Sequence, residues 1–112
     1  KQRYSLNFQV SYQTDLHKLF ALLREITAAH PSVLSGPDYP IEEQPDAEIC
    51  GFGDSGVDIL VEYWIEAIDD GRHRVGGDLL LSYWDAFKAQ GIEIPYPQRE
   101  VRVLDGKSLD KK

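Results

Sequence analysis

Nine residues, "VDILVEYWI" from Val57 to Ile65, constrain this chain more than any other stretch. Val57, Ile59, Val61, Tyr63 and Ile65 recur with a spacing of two, while Asp58, Leu60, Glu62, Trp64 and then Glu66 occupy the positions between. Successive side chains of a strand point to opposite faces, so this pattern predicts a strand with one apolar face and one mostly acidic face. An apolar sheet face has to be buried under another layer.

The rest of the chain supplies that layer. Residues 4–12 alternate in the same way, with Tyr4, Leu6, Phe8, Val10 and Tyr12 on one face, which predicts a half-buried first strand. Thr14 or Asp15 can cap a helix whose apolar positions Leu16, Leu19, Phe20, Leu23, Ile26 and Thr27 follow helical spacing, and Pro31 ends it. Residues 31–45 carry four prolines and read as a long irregular connection before a short strand from Ala47 to Phe52. After the "DDGR" turn, Asp78 can cap a second helix with a broad stripe of Leu79, Leu80, Tyr83, Trp84, Ala86 and Phe87, stopped by Gly91. With right-handed crossovers this order predicts an α+β fold: a ferredoxin-like βαββαβ sandwich, its antiparallel sheet carrying both helices on one face.

A chain of 112 residues with 42% hydrophobic residues has material for one domain. Its longest apolar runs, such as Leu19 to Leu23, fall far short of the ~20 residues that a membrane-spanning helix needs. The single cysteine, Cys50, cannot form an internal disulfide and is expected to be a small buried apolar group in a reducing compartment. The chain contains no methionine and begins at Lys1, so it is expected to be an excerpt of a longer protein. The net charge of −7 is uneven, with eleven acidic residues and no Lys, Arg or His between Asp38 and Asp70. Such a surface repels phosphate backbones and concentrates cations, so nucleic acid is not an expected partner.

Several motifs match familiar chemistry in letters only. "GFGDSG" at 51–56 fits G-x-G-x-x-G, but the next segment is strand-patterned, and the dinucleotide motif requires a helix there to hold the pyrophosphate. A turn between two strands is expected, with the glycines supplying positive φ and Asp54 and Ser55 bonding local backbone. "GDSG" around Ser55 has no histidine placed beside it, since His17 and His30 belong to a helix and its end and His73 to a turn. Asp58, Glu62 and Glu66 share a strand face, but i, i+4 spacing along a strand separates carboxylates by roughly 13 Å, too far for one ion. Neither a metal, a cofactor nor catalysis is expected. Trp84 is expected in the core, and Trp64 under an adjoining surface, another subunit among the candidates. RNA binders with this strand order need a basic sheet face, and Asp58, Glu62 and Glu66 are acidic.

The end of the chain is the puzzle. "GIEIPYPQREVRVL" at 91–104 places Pro95 and Pro97 just ahead of an alternating stretch in which Val101 and Val103 point one way and Glu100, Arg102 and Leu104 the other. Each proline removes a backbone donor, so Ile94 to Gln98 cannot lie inside a sheet, and the last strand needs a partner outside the domain.

Together with "QVSYQTD" at 9–15 and "GFGDSGVDILVEYWI" at 51–65, that segment resembles the C-terminal cytoplasmic domain of the small-conductance mechanosensitive channel family. The likeness runs from about Tyr4 to Leu104, and "GIEIPYPQREV" is its most specific part. The resemblance implies a domain over residues 1–104 and a tail over 105–112. It further implies a place on the cytoplasmic side of the cell's inner membrane, in a channel that releases ions and small solutes under membrane tension. Membrane segments are then expected upstream, and seven identical subunits are expected to enclose a cage with side portals near Lys1 to Ser5. The stretch 98–104 would then form a strand of a parallel barrel between subunits, with Pro97, Gln98, Arg99, Val101 and Val103 at the interface. A second expectation is that Asp58, Glu62 and Glu66 line the portal path and enrich cations. The alternative is a stand-alone ferredoxin-like domain that senses a small molecule between two subunits and gains thermal stability from a metabolite.

Overall fold

The structure is a computed structural model that describes residues 1–66 and 74–95. In chain order it contains β1 (Gln2–Val10), α1 (Leu16–Ala29), a short 3-10 turn (Ile41–Glu43), β2 (Asp46–Phe52), β3 (Val57–Ile65) and α2 (Val75–Gln90). The "DDGR" turn, the barrel strand expected over 98–104 and the tail from 105 lie outside the described residues.

The strand with the strictest alternation takes the middle of the sheet. β3 pairs antiparallel with β1 on one side, Phe8 opposite Ile59 and Tyr4 opposite Tyr63, and with β2 on the other, Ala47 opposite Val61. The order is β1-β3-β2. Val57, Ile59, Val61, Tyr63 and Ile65 are all buried, in one cluster with Leu19 and Leu23 of α1 and Leu79, Tyr83 and Phe87 of α2. Both helices therefore cover the same face of this three-stranded antiparallel sheet, which is the α+β class that the patterning predicts. Aromatic rings join the layers: Phe8 lies 5.7 Å from Phe87 and 5.8 Å from Tyr83, centroid to centroid.

Local chemistry sets the helix ends. Asp15 caps α1 by accepting from the Lys18 amide at 3.3 Å. At the other end His30 is extended, as a residue before proline tends to be. α2 stops at Gly91, whose φ of 71° is left-handed backbone that glycine adopts without a Cβ penalty. The long connection is less irregular than its prolines suggest. Val33 bridges Ile65, the Leu34 amide donates to the Trp64 carbonyl at 2.9 Å, and the Gln44 amide group bonds Gly36 and Tyr39.

Several expectations need correction. α2 begins at Val75, not at Asp78, because Val75 is fully buried and its burial outweighs the poor helix propensity of Gly76 and Gly77. β1 ends at Val10, and Tyr12 turns away from the core to bond the Gly53 carbonyl. Cys50 is exposed, because it is the extra residue at a register shift between Ile49 and Gly51 on the edge strand β2. Trp84 is about half exposed, since the buried stripe of α2 is the narrower set Val75, Leu79, Tyr83 and Phe87. The glycines of the 51–56 turn do not use positive φ. Gly56 is needed for close approach instead: a Cβ there would sit 2.3 Å from the Val10 carbonyl oxygen, whereas one on Gly53 would clash only with the side-chain end of Gln9, Nε2 at 2.3 Å.

Candidate functional site

Two surfaces of the described residues stand out once the core is accounted for. The first is the outer face of the sheet. Asp58 and Glu62 project from it, while Glu66 lies just past the end of β3 and is exposed. Asp58 accepts a 2.8 Å hydrogen bond from Gln9 Nε2, its cross-strand partner. Glu62 stands opposite Asp46 of β2, a like-charge pair, and Arg24 of α1 reaches Asp46 at 3.4 Å. Cross-strand like charges are unfavourable, so the nearby guanidinium offsets part of that cost. Glu62, Trp64, Arg3 and Arg24 line an open cavity of about 480 Å³ whose wall is completed by residues between Ile41 and Asp46. Trp64 is thus covered in part by its own chain. Among the described residues no group of three or more His, Cys, Asp or Glu side chains is arranged to hold a metal ion.

Lys1, at the start of the region expected near a portal, forms an ion pair with Glu43 at 3.0 Å. That hydrogen bond, reinforced by the charges of Glu43 and Glu66, raises the Lys1 ammonium above its ordinary range. The Lys1 ammonium is open to solvent while Glu43 is partly buried, so screening leaves the pair only a small contribution to stability.

The second surface lies where α2 meets the outer edge of β1. After Gly91 the chain returns to β1: Ile92 packs against the core, and the Ser11 amide donates to the Glu93 carbonyl at 2.9 Å. Pro95 ends the described segment against Gly56, where its Cγ lies 3.0 Å from an ideal Cβ position. Phe8, Leu80, Tyr83, Trp84, Phe87 and Ile94 line a groove of about 180 Å³ at this corner. Leu80, Leu81, Trp84 and Ile94 are 44%, 62%, 48% and 42% exposed. Lys88 covers one ring face of Trp84 with its ammonium, 4.7 Å from the centroid. Leu80 and Trp84, which helical spacing assigns to the core stripe, form this surface instead. The available signal was an excess: α2 carries apolar residues at 79, 80, 81, 83, 84 and 87, more than one helix face can hold.

Beneath both surfaces a buried polar contact ties the helices. Thr27 Oγ1 donates to the Leu23 carbonyl at 2.6 Å and lies 2.5 Å from the Tyr83 hydroxyl. Burial pushes the Tyr83 hydroxyl up to about 12, and its bond to Thr27 pulls in the opposite direction. At the helix ends His30 Nε2 meets Asp78 Oδ2 at 2.9 Å, while His30 Nδ1 accepts from the Ser32 amide at 3.0 Å. The Ser32 bond occupies the Nδ1 lone pair, which leaves the proton of a neutral ring on Nε2, facing the carboxylate.

The expected interface residues Pro97, Gln98, Arg99, Val101 and Val103 lie outside the described residues. The structure brings Asp58 and Glu62 onto one face and leaves Glu66 beyond the strand end.

Comparison with known proteins places this architecture. Residues 5–94 match the family described as "Mechanosensitive ion channel MscS, C-terminal". An uncharacterised MscS family protein of Archaeoglobus fulgidus is 29% identical over 100 residues, covering 89% of this chain and 32% of its own length. The crystal structure of Helicobacter pylori MscS in a closed state superposes with a TM-score of 0.70 at 20% identity, over 91% of this chain and 38% of that one. The cryo-EM structure of Arabidopsis thaliana MSL1 gives a TM-score of 0.66 at 12% identity, over 85% and 34%. The chain spans about a third of the length of each of these relatives. No helix among the described residues is long and apolar enough to cross a membrane. The match over most of the chain shows that it belongs to the MscS family of mechanosensitive ion channels, of which it carries the C-terminal domain.

Proposed function

We propose that this domain is a non-enzymatic building block of a channel that opens under membrane tension. In this reading it forms the wall of a cytoplasmic vestibule through which ions and small solutes pass, on the inner side of the cell membrane. Identical subunits assemble around the pore axis, seven in the form that the family resemblance implies, each contributing the stretch from Pro97 to Val103 to a shared barrel. The sheet then follows the ferredoxin-like plan, with the chain after Gly91 taking the place beside β1.

One observation carries the reading: the bond between the Ser11 amide and the Glu93 carbonyl. In an antiparallel ladder, bonded pairs recur at every second residue. Continuing the register of that bond would set Pro95 against Gln9 and Pro97 against Asn7, both at positions that call for an N–H donor. The ladder along β1 therefore stops at Glu93. An alternating stretch such as "REVRVL" that cannot close its own sheet has its backbone groups to satisfy elsewhere, and equivalent strands of sister subunits supply them.

The test is electrophysiological. The full-length gene product, reconstituted in liposome patches, is expected to give tension-activated currents, and Val101→Asp with Val103→Asp is expected to abolish assembly and current together. Absence of any tension response in the unmodified protein overturns the reading. The acidic face refines it: Asp58, Glu62 and Glu66 near the solute path would raise local cation concentration. Glu62→Gln with Glu66→Gln should shift the reversal potential in a salt gradient toward that of a less cation-preferring pore, and an unchanged potential removes this refinement.

A further inference from the structure

The cavity of about 480 Å³ on the outer face of the sheet is built by all three strands and the turn before β2. Arg3 of β1 is the cross-strand partner of Trp64 on β3, and Glu62, two residues earlier on β3, stands opposite Asp46 of β2. Arg3 and Glu62 are therefore diagonal neighbours that both adjoin the indole, with Cβ atoms roughly 7–8 Å apart by the geometry of a sheet. The walls are held in place. Gln44 donates to the Gly36 and Tyr39 carbonyls at 2.7 and 2.9 Å and accepts from the Gly36 amide at 3.0 Å, which fixes the turn. The Trp64 carbonyl accepts from the Leu34 amide at 2.9 Å. A cavity whose walls are already ordered costs little to organise when a ligand enters.

Three of its polar groups have nothing to bond. Among the described residues the Arg3 guanidinium, the Glu62 carboxylate and the Trp64 indole N–H have no hydrogen-bond or ion-pair partner, although Glu62 and Trp64 are only partly exposed. Arg24 differs, since it is engaged with Asp46 at 3.4 Å and the two charges offset each other. That leaves Arg3 as the positive group around the indole, and Glu62 with Glu42 of the turn as the negative ones. A bare anion would meet an excess of carboxylates. A bare cation would leave Arg3 unused. A small molecule that carries both charges satisfies each side, because Arg3 and Glu62 do not reach one another. An indole face suits the cationic end, above all a methylated ammonium, and the guanidinium fork suits a carboxylate.

We propose that this cavity binds a small zwitterion of the betaine type, one that joins a carboxylate to a methylated ammonium. Arg3 takes the carboxylate, Glu62 faces the ammonium, and Trp64 packs against its methyl groups. The site lies within one copy of the chain, so it stands or falls independently of the assembly reading above.

Saturation-transfer NMR on the full-length protein in nanodiscs, with glycine betaine as the probe, tests it. The signal from the probe's methyl protons is expected to saturate on titration. Choline, which lacks the carboxylate, and acetate, which lacks the ammonium, are each expected to bind about ten-fold more weakly, as for the loss of one charged contact. Arg3→Gln is expected to weaken glycine betaine about ten-fold while leaving choline unchanged, and Glu62→Gln is expected to weaken both by a similar factor. Trp64→Leu should also weaken both. Since that variant removes a partly buried ring, the two glutamine variants decide the matter, with unchanged thermal melts showing that their fold is intact. A titration that does not saturate, equal affinity in the wild type and both glutamine variants, or choline binding as tightly as glycine betaine overturns the proposal.

Discussion

α1 and α2 cover the same sheet face with similar lengths, 14 and 16 residues, yet they spend their apolar residues differently. On α1 the buried positions Leu19, Leu23 and Thr27, flanked by the half-buried Leu16, Phe20, Leu22 and Ile26, account for every large apolar side chain. α2 buries Val75, Leu79, Tyr83 and Phe87 and then carries Leu80, Leu81 and Trp84 on a second, exposed side. The contrast separates the apolar residues that fill the described core from those that lie outside it.

The core halves of the two helices should be equivalent. Leu19 and Leu79 are 0% and 1% exposed, so Leu19→Ala and Leu79→Ala are each expected to cost about 2–5 kcal/mol, through lost burial and an unfilled cavity. Urea unfolding of both variants checks this. A loss below 1 kcal/mol at Leu79 would mean that α2 is not anchored as α1 is, and the comparison would fail at its base.

The contact between the helices gives a pH-dependent handle. Tyr83 is held neutral by burial and titrates at about 12 in the fold against 10.0 in an unfolded chain. A group whose folded value is raised contributes its full stability below the unfolded value and loses it as pH climbs through the folded one. The domain is therefore expected to lose about 2–3 kcal/mol between roughly pH 10 and pH 12. Tyr83→Phe should remove most of that alkaline loss while costing about 1 kcal/mol at neutral pH, where the bond to Thr27 is missing. Chemical denaturation across that pH range separates the two outcomes. An unchanged alkaline slope in the variant would assign the loss to other groups.

Much of this architecture was legible before any coordinates. The period-two pattern of Val57–Ile65 gives this strand and its two faces, with only Glu66 falling past its end, because a strand buried on one side only leaves its signature at every residue. Helix α1 was equally clear, since its cap, its stripe and its stop agree. The failures share one physical cause: local rules were overridden by contacts distant in sequence. Asp78 has the chemistry of a cap, but Val75 belongs to the core and draws the helix start back to itself. Tyr12 continues the alternation of β1 on paper, yet its hydroxyl is taken by Gly53. Cys50 looks like a buried small residue until the register shift pushes it out of the ladder. Periodicity could show that α2 was apolar, but not which apolar residues would face the sheet, and that ambiguity hid the groove. The interface expected from Pro97 to Val103 rests on the prolines and the family likeness, and those residues lie outside the described ones.

The helix starts offer a smaller test. α1 opens on a true side-chain cap, and Asp15→Ala should cost about 1 kcal/mol by leaving the Lys18 amide without that partner. α2 opens on Arg74 in left-handed backbone, and its first acidic residue, Asp78, faces His30 instead of a helix amide. Asp78→Ala should therefore cost less, about 0.5 kcal/mol, as expected of a contact whose carboxylate is largely exposed. Thermal melts of the two variants read the order directly, and a larger loss at Asp78 would reverse the assignment of the capped and uncapped starts.

The smallest effect is the most informative for the comparison. Leu80 is 44% exposed and touches the groove, not the core cluster, so Leu80→Gln should change the domain's folding free energy by no more than about 0.5 kcal/mol. Its neighbour Leu79, one residue earlier on the same helix, is expected to cost several times as much. If adjacent leucines differ this way in urea unfolding, the second side of α2 is not maintained by the needs of the described core. Should Leu80→Gln destabilise the domain as strongly as Leu79→Ala, the exposed strip is structural after all, and α2 differs from α1 only in the width of the face it buries.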